Sequence, residues 1–258
     1  MVGAMRNKRA VVLLLAAATA ALVVALAGLA SEPARAASDV LPDLGMAHPK
    51  GLQIEKTSDG RKLLRFSSIV VNVGAGPFEV HGERAAGAST MTTQQRVFDS
   101  AGGHRDVPTK AVMYYSGDGH NHWHVRDLED FKLTRLDNGN LVGTGAKHGF
   151  CFFDNYLYGS SDPAFYQQST GSCGGGTSAT QTMMGLSVGW GDFYGKRLPD
   201  QYIDVTGLTS GRYRMTVTAD ADGWFLESDN SNNIAWVNIK ISGDSVSVVR
   251  YGPAARPI

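Results

Sequence analysis

The chain has 258 residues, with 24 lysines and arginines balanced by 24 aspartates and glutamates. That length supports one sizeable domain or two small ones, and zero formal charge gives no reason to expect nucleic acid as a partner. The 31 glycines point to many turns, as in an all-β protein, more than to a helical bundle.

In chain order, the first segment is "MVGAMRNKRAVVLLLAAATAALVVALAGLASEPARAASDV". A basic start (Arg6, Lys8, Arg9) leads into an apolar run from Ala10 to Ala30 and then Ala34-Arg35-Ala36, an A-x-A cleavage site. This is the pattern of a secretory signal spanning residues 1–36, removed after Ala36 or Ala37. A retained membrane anchor is the alternative, since the run is long enough to span a bilayer; the A-x-A site favours cleavage. Either way residues 37–258 are expected to work outside the cytoplasm, with no membrane contact after cleavage. In that compartment the two cysteines, Cys151 and Cys173, are most simply one disulfide, with two free thiols as the alternative.

Past the signal, short apolar segments alternate with Gly, Asp and Asn. "RKLLRFSSIVVNVG" (61–74) predicts a strand rich in β-branched residues. "FKLTRLDNGNLVGTGAK" predicts a hairpin, because Asn138-Gly139 is the strongest two-residue turn signal. "STGSCGGGTSATQT" predicts a mobile surface loop pinned by Cys173. "RYRMTVTADAD" alternates, with Tyr213, Met215 and Val217 on one face, and "NNIAWVNIKI" and "DSVSVVRY" predict two strands around Ser242-Gly243-Asp244. The expected fold is therefore all-β: one mainly antiparallel domain, a β-sandwich or jelly-roll-like packing, with few short helices and long loops.

The chemistry concentrates in "GDGHNHWHV" (117–125), where three of the seven histidines stand at alternate positions. On a helix His120, His122 and His124 would not share a face; on a strand they would, as a ladder with about 7 Å per step. Curvature at Gly117 and Gly119 would let them converge on one ion. Imidazole suits zinc, copper, iron and nickel, so the motif alone does not choose a metal, and an exposed His-rich strand that binds nothing is the plain alternative. His122-x-His124-x4-Glu129 also resembles the first metal motif of the cupins, but no histidine follows His148 to supply their later ligand.

"DGHNHWHVRDLEDFKL" resembles the copper-binding segment of the lysyl oxidase family. Further segments resemble the same family in the same order: "LPDLG" (41–45), "LLRFSSIVVNVGAGPFEV" (63–80), "GAKHGFC" (145–151), "WGDFYGKRLPDQYIDVTGLTSGRY" (190–213) and "ESDNSNN" (227–233). The resemblance implies a secreted, copper-dependent amine oxidase. It would convert primary amines, lysine side chains of extracellular proteins or peptides among them, to aldehydes with O2, releasing H2O2 and ammonia. It implies His120, His122 and His124 as Cu2+ ligands. It also implies a lysine tyrosylquinone cofactor cross-linked from Lys147, four residues before Cys151, and Tyr194, in Asp192-x-Tyr194 seven residues before Gln201. A carboxylate must then remove the substrate's α-proton; Asp192 and Asp204 are the candidates, and both have ordinary readings as turn or capping residues. Glu227, Asp229, Asn232 and Asn233 offer hard oxygen ligands that suit Ca2+, with an Asx-rich turn as the alternative. The resemblance adds Asp43 and the Leu44 carbonyl to that site.

The chain departs from the family's animal enzymes in having two cysteines rather than many. It has Tyr114, Tyr115, Ser116 and Gly117 before the histidines, where those enzymes have tryptophans and a further histidine, and Gly195-Lys196-Arg197 after Tyr194. Two other functions remain open at this stage: a secreted copper-binding module without turnover, and a three-histidine zinc hydrolase with Glu129 as base. There is also a geometric tension. If Asn138-Gly139 closes a simple hairpin, Lys147 pairs near Asp130, roughly 20 Å along the strand from His124. The expectation is that Lys147 and Tyr194 stand apart before any cross-link, unless a bulge or break redirects the chain.

Overall fold

The computed structural model of the protein describes residues 37–116, 121–159 and 163–258. The proposed signal segment and His120 lie outside the described residues.

The long strands form where the sequence alternates. In β16 (Gly211–Ala219) Tyr213, Met215, Val217 and Ala219 are buried and the residues between them are not. In β17 (Ile234–Ser242) Ala235, Val237, Ile239 and Ile241 supply the matching inward set. The two strands pair antiparallel, Met215 opposite Val237, and their inner faces feed one main core with Phe66, Phe78, Phe131 and Phe150. The five-stranded sheet runs β10 (Leu141–Thr144), β9 (Glu129–Arg135), β16, β17, β18 (Ser245–Tyr251).

A six-stranded sheet is built on β4 (Lys62–Asn72). One half of β4 pairs with β2 (Leu44–Met46) and β14 (Trp190–Tyr194), the other with β3 (Lys50–Lys56) and β15 (Tyr202–Asp204); β12 (Tyr156–Leu157) extends β14. Residues 66–72 of β4 are buried without alternation, as expected of a strand covered on both faces. A seven-stranded sheet runs β11 (Gly149–Phe150), β8 (Trp123–Arg126), β7 (His104–Tyr115), β6 (Thr90–Asp99), β5 (Phe78–Glu83), β13 (Gln181–Leu186), with β1 (Asp39–Val40) on β6. Every pairing between named strands is antiparallel. The only helix among the described residues is the 3-10 turn Gln168–Thr170. The fold is all-β and antiparallel, as its alternation and turn content predict. Cys151 and Cys173 form a disulfide with Cα atoms 5.7 Å apart.

The hairpin expected at Asn138-Gly139 exists, but it closes with a longer loop: Arg135 and Asn140 make the last backbone bond, and Gly139 takes positive φ. The corresponding expectation for Lys147 fails, for a local reason. β10 bulges between Leu141 and Gly143 and leaves β9 after Thr144. The Gly145 amide still bonds the Phe131 carbonyl, but the Ala146 amide bonds Tyr202 in the other sheet. A side chain at Gly145 would strike the Phe131 ring (2.5 Å), so glycine permits this crossing. The chain then joins β8 as β11, with Gly149 opposite Arg126 and Phe150 opposite Val125.

Candidate active site

β7 and β8 bring the histidine segment to the edge of the seven-stranded sheet, with His124 opposite Tyr114 and Trp123 opposite Tyr115. Strand alternation sends Trp123 the other way, where its indole N–H donates to the Gly176 carbonyl (2.9 Å). His122 precedes the regular strand; its carbonyl accepts from Ser116 (3.1 Å). The two imidazoles therefore do not stand about 7 Å apart as on an ideal strand. Their rings lie 4.5 Å apart and their Nε2 atoms 3.0 Å apart. Two imidazole nitrogens converging on one point are a donor set that fits a borderline cation such as copper or zinc. Among the described residues no set of three His, Cys, Asp or Glu side chains surrounds a common point; the motif's third histidine is outside them.

The redirected chain after β10 delivers Lys147 into the same cleft, a space of about 270 Å³ lined by His122, His124, Lys147, Asp192 and Tyr194 among others. Lys147 is 4% exposed. Its Nζ lies 5.0 Å from the centroid of the Tyr194 ring and 5.1 Å from that of Phe150, and it donates to Asp200 Oδ2 at 3.4 Å. Phe150 meets Tyr194 edge to face. Lys147 and Tyr194 are thus together, not apart.

Tyr194 and Asp192 point to one side of β14, since they are two residues apart on a strand. Asp192 is 1% exposed and accepts a hydrogen bond from Asn155 Nδ2. Burial pushes its carboxyl up to about 7, against the pull of Tyr194, Asn155 and Lys147. Glu129, at the start of β9, is 2% exposed, and burial pushes it up to about 8, with the Asp192 charge adding to the rise. Burial and these neighbouring carboxylates hold the Tyr194 hydroxyl well above its ordinary value. Asp192 faces that hydroxyl closely enough to act on its ionisation but outside hydrogen-bond geometry: Tyr194 Oη, Asp192 Oδ2, both Glu129 oxygens, Asp200 Oδ1 and Gln201 Oε1 are all buried without a hydrogen-bond partner. Native interiors rarely leave so many polar atoms unsatisfied in one place. Their concentration around one lysine and one tyrosine makes this cluster the candidate site.

A family model described as "Lysyl oxidase" matches residues 95–251, more than half of the chain. The chain belongs to the lysyl oxidase family. Among curated proteins it is similar to protein-lysine 6-oxidase of Gallus gallus, 32% identical over 48% of this chain and 27% of that protein. It is also similar to protein-lysine 6-oxidase of Homo sapiens, 31% identical over 50% of this chain and 29% of that protein. Lysyl oxidase homolog 2 of Homo sapiens is 25% identical over 75% of this chain and 20% of that protein. The chain thus matches less than a third of the length of each of these lysyl oxidase relatives.

The lysyl oxidase domain does not bring every residue expected from the sequence into the cleft. Asp204 is exposed on β15 and accepts from Thr206, whose hydroxyl and amide hold its carboxyl below the ordinary value. It is a turn residue here. Glu129 is absent from the lining of the histidine cleft and lines a neighbouring one. Asp200, Gln201 and Asn155 belong to the polar cluster and were not singled out from the sequence. The first two follow Pro199 within the segment that carries Tyr194, and that proximity is the available signal.

The acidic motif near the C-terminus meets the N-terminal segment. The Leu44 amide donates to Glu227 Oε2 (2.5 Å), Asn232 Nδ2 to Asp43 Oδ1 (2.9 Å) and Asn233 Nδ2 to Glu227 Oε1 (2.9 Å). Burial pushes Glu227 up to about 8, and the side-chain oxygens of Asn232 and Asn233 are buried without partners. These hard oxygens fit Ca2+. Asp229 is turned away, capping the Ser231 amide and hydroxyl.

No helix among the described residues is long and apolar enough to cross a membrane.

Proposed function

We propose that the protein is a secreted, copper-dependent amine oxidase that forms its redox cofactor from its own Lys147 and Tyr194. The observation that carries this reading is the Lys147 Nζ lying 5.0 Å over the Tyr194 ring in a cleft walled by His122 and His124. Together with His120, the two converging histidines would hold the metal. The bound copper and a lysine tyrosylquinone would supply O2 chemistry and an electrophilic carbonyl, taking primary amines, lysine side chains among them, to aldehydes with release of H2O2 and ammonia.

The chain's own residues support that chemistry. Phe150 packs beside the Lys147 amine (5.1 Å to the ring centroid) and the side chain is 4% exposed, so little water reaches it. Asp200 holds the amine within the cleft. Asp192, buried and aimed at the tyrosine ring, is the proton acceptor for the substrate's α-carbon, and a carboxyl near 7 suits that task. A zinc hydrolase with Glu129 as base is less well supported, since Glu129 does not line the histidine cleft.

The test is peptide mapping and intact mass of copper-loaded protein, beside peroxide release from a simple primary amine. The expected result is one cross-linked peptide pair containing residues 147 and 194, and peroxide that Tyr194→Phe abolishes. Separate unmodified peptides with no peroxide would favour a copper-binding module.

A further inference from the structure

The histidine pair is gripped from behind. Trp123 stands between His122 and His124, is 1% exposed and is the first residue of β8. Both of its N–H groups donate to one loop: the backbone amide to the Cys173 carbonyl (3.1 Å) and the indole to the Gly176 carbonyl (2.9 Å). This is the glycine-rich stretch that the sequence predicts to be mobile and pinned by Cys173. The structure adds a second pin, Arg84, directly after β5. Its guanidinium donates to the carbonyls of Ala179 (2.7 Å), Thr177 (2.5 Å) and Ala88. The same group lies over the Trp123 indole, 4.7 Å from the ring centroid. One arginine therefore holds both the loop and the residue that the loop grips.

Where that grip falls decides the spacing of the histidines. On a regular strand the two imidazoles would stand about 7 Å apart, yet their Nε2 atoms are 3.0 Å apart, with His122 lying before the strand begins. Trp123 fixes that beginning, and its own place is fixed by the two loop carbonyls. Cys173 and Gly176, which supply them, both take positive φ. A cysteine keeps such a backbone only where its surroundings over-determine it, and the Cys173 amide is itself bound to the Met183 carbonyl (2.9 Å). Groups that orient metal ligands without touching the metal change its affinity by about 10- to 100-fold when removed. Arg84 stands in that relation to His122 and His124, through Trp123.

We infer that Arg84 is a positioning residue for the metal histidines: acting through the glycine-rich loop and Trp123, it holds His122 and His124 converged before any metal arrives. This rests on the copper reading above, and the experiment separates the two. NMR of the metal-free protein reads the arrangement without turnover. A nuclear Overhauser contact between the His122 and His124 ring protons is expected in the unsubstituted protein. It is expected to be lost in Arg84→Met, which keeps an apolar stem over the indole, and in Trp123→Phe, which keeps a ring and the backbone bond but not the indole N–H. Titration with Cu2+ against a competing chelator is expected to show each variant binding about 10- to 100-fold more weakly, with an altered hyperfine splitting in the Cu2+ electron paramagnetic resonance spectrum. The double variant is expected to be no weaker than the weaker single, because both act through one contact. Arg84→Lys, which keeps the charge, is expected to recover part of the affinity. Arg96→Met controls for general loss of stability, since Arg96 pairs with Asp106 (2.9 Å) elsewhere on the same sheet; it is expected to leave the contact and the spectrum unchanged. Histidine rings apart in the unsubstituted protein, or contact and affinity unchanged in both single variants, overturn the inference whatever the oxidase does. Additive losses in the double variant, or an equal loss in Arg96→Met, overturn it as well. Loss of the contact in the variants of a protein that binds no copper and releases no peroxide leaves the positioning standing and removes the oxidase.

Discussion

Asp192 and Tyr194 share a face of β14 by strand period alone, and what distinguishes Asp192 from an ordinary strand aspartate is its burial. With its carboxyl near 7, it carries a proton in acid and cannot accept another. The rate of amine oxidation is expected to rise with pH through about 7, as the carboxylate form is populated. Asp192→Asn should remove that limb and lower kcat by about 10²- to 10⁴-fold; a steady-state pH profile of both proteins checks it. An unchanged limb in the variant would remove Asp192 from the role of proton acceptor. Gly149 is decisive in another way. A Cβ there would stand 2.2 Å from the Tyr114 hydroxyl and 3.2 Å from the His124 ring. Gly149→Ala is expected to cost about 1–3 kcal/mol of stability by overpacking and to weaken copper binding by displacing His124. Urea midpoints and metal titration read the two effects separately.

At the scale of elements, the crossing from β10 to β11 is what makes the cleft, because it carries Lys147 from the five-stranded sheet to the edge strand bearing His124. The disulfide anchors its far end: Cys151 follows β11 directly and Cys173 lies 22 residues on. Closing a loop of that size is worth about 3 kcal/mol in the chain-entropy model. Cys151→Ser with Cys173→Ser should lower the urea midpoint accordingly and cut the yield of cross-linked peptide, since β11 would hold Lys147 less firmly. Loss of stability with full cross-linking would show that β8 alone positions the lysine. These elements also show what the sequence discloses. Strands such as β16 and β17 are legible because each residue's burial follows from its parity along the strand. The histidine spacing is legible for the same reason, although the convergence of His122 and His124 depends on where β8 begins, and no periodicity marks that. Lys147 was misplaced because the hairpin signal at Asn138-Gly139 is local, while the escape from the hairpin is decided by Gly145 packing on Phe131 and by a hydrogen bond to Tyr202. The buried carboxylates were the least legible. Glu129 and Asp192 are each legible as candidate bases, but nothing in the sequence marks that the sheets close over both of them.

Over the whole molecule, the N-terminal segment is tied at one place to the loop that precedes β17. Ser228 donates to the Pro42 carbonyl (2.9 Å), Leu44 to Glu227, and Asn232 to Asp43. Gln95 of β6 adds a two-way bond to Leu226, donating to its carbonyl and accepting from its amide. A cation held here would join β2, and through it the central strand β4, to the segment entering β17. Because such an ion binds only the folded arrangement, it stabilises by mass action, about 2.7 kcal/mol at a hundredfold excess over its dissociation constant. The Glu227 carboxyl, at about 8, is protonated at neutral pH without the ion and must ionise to ligate it. Calcium binding at pH 7 is therefore expected to release a proton, and its apparent affinity to rise with pH until about 8 and then level off. Calorimetry in two buffers of different ionisation enthalpy measures that proton, and a chelator should lower the melting temperature of the protein but not of Glu227→Gln. A melting temperature indifferent to calcium and chelator would leave residues 227–233 as an Asx-rich turn, joined to the N-terminal segment by hydrogen bonds alone.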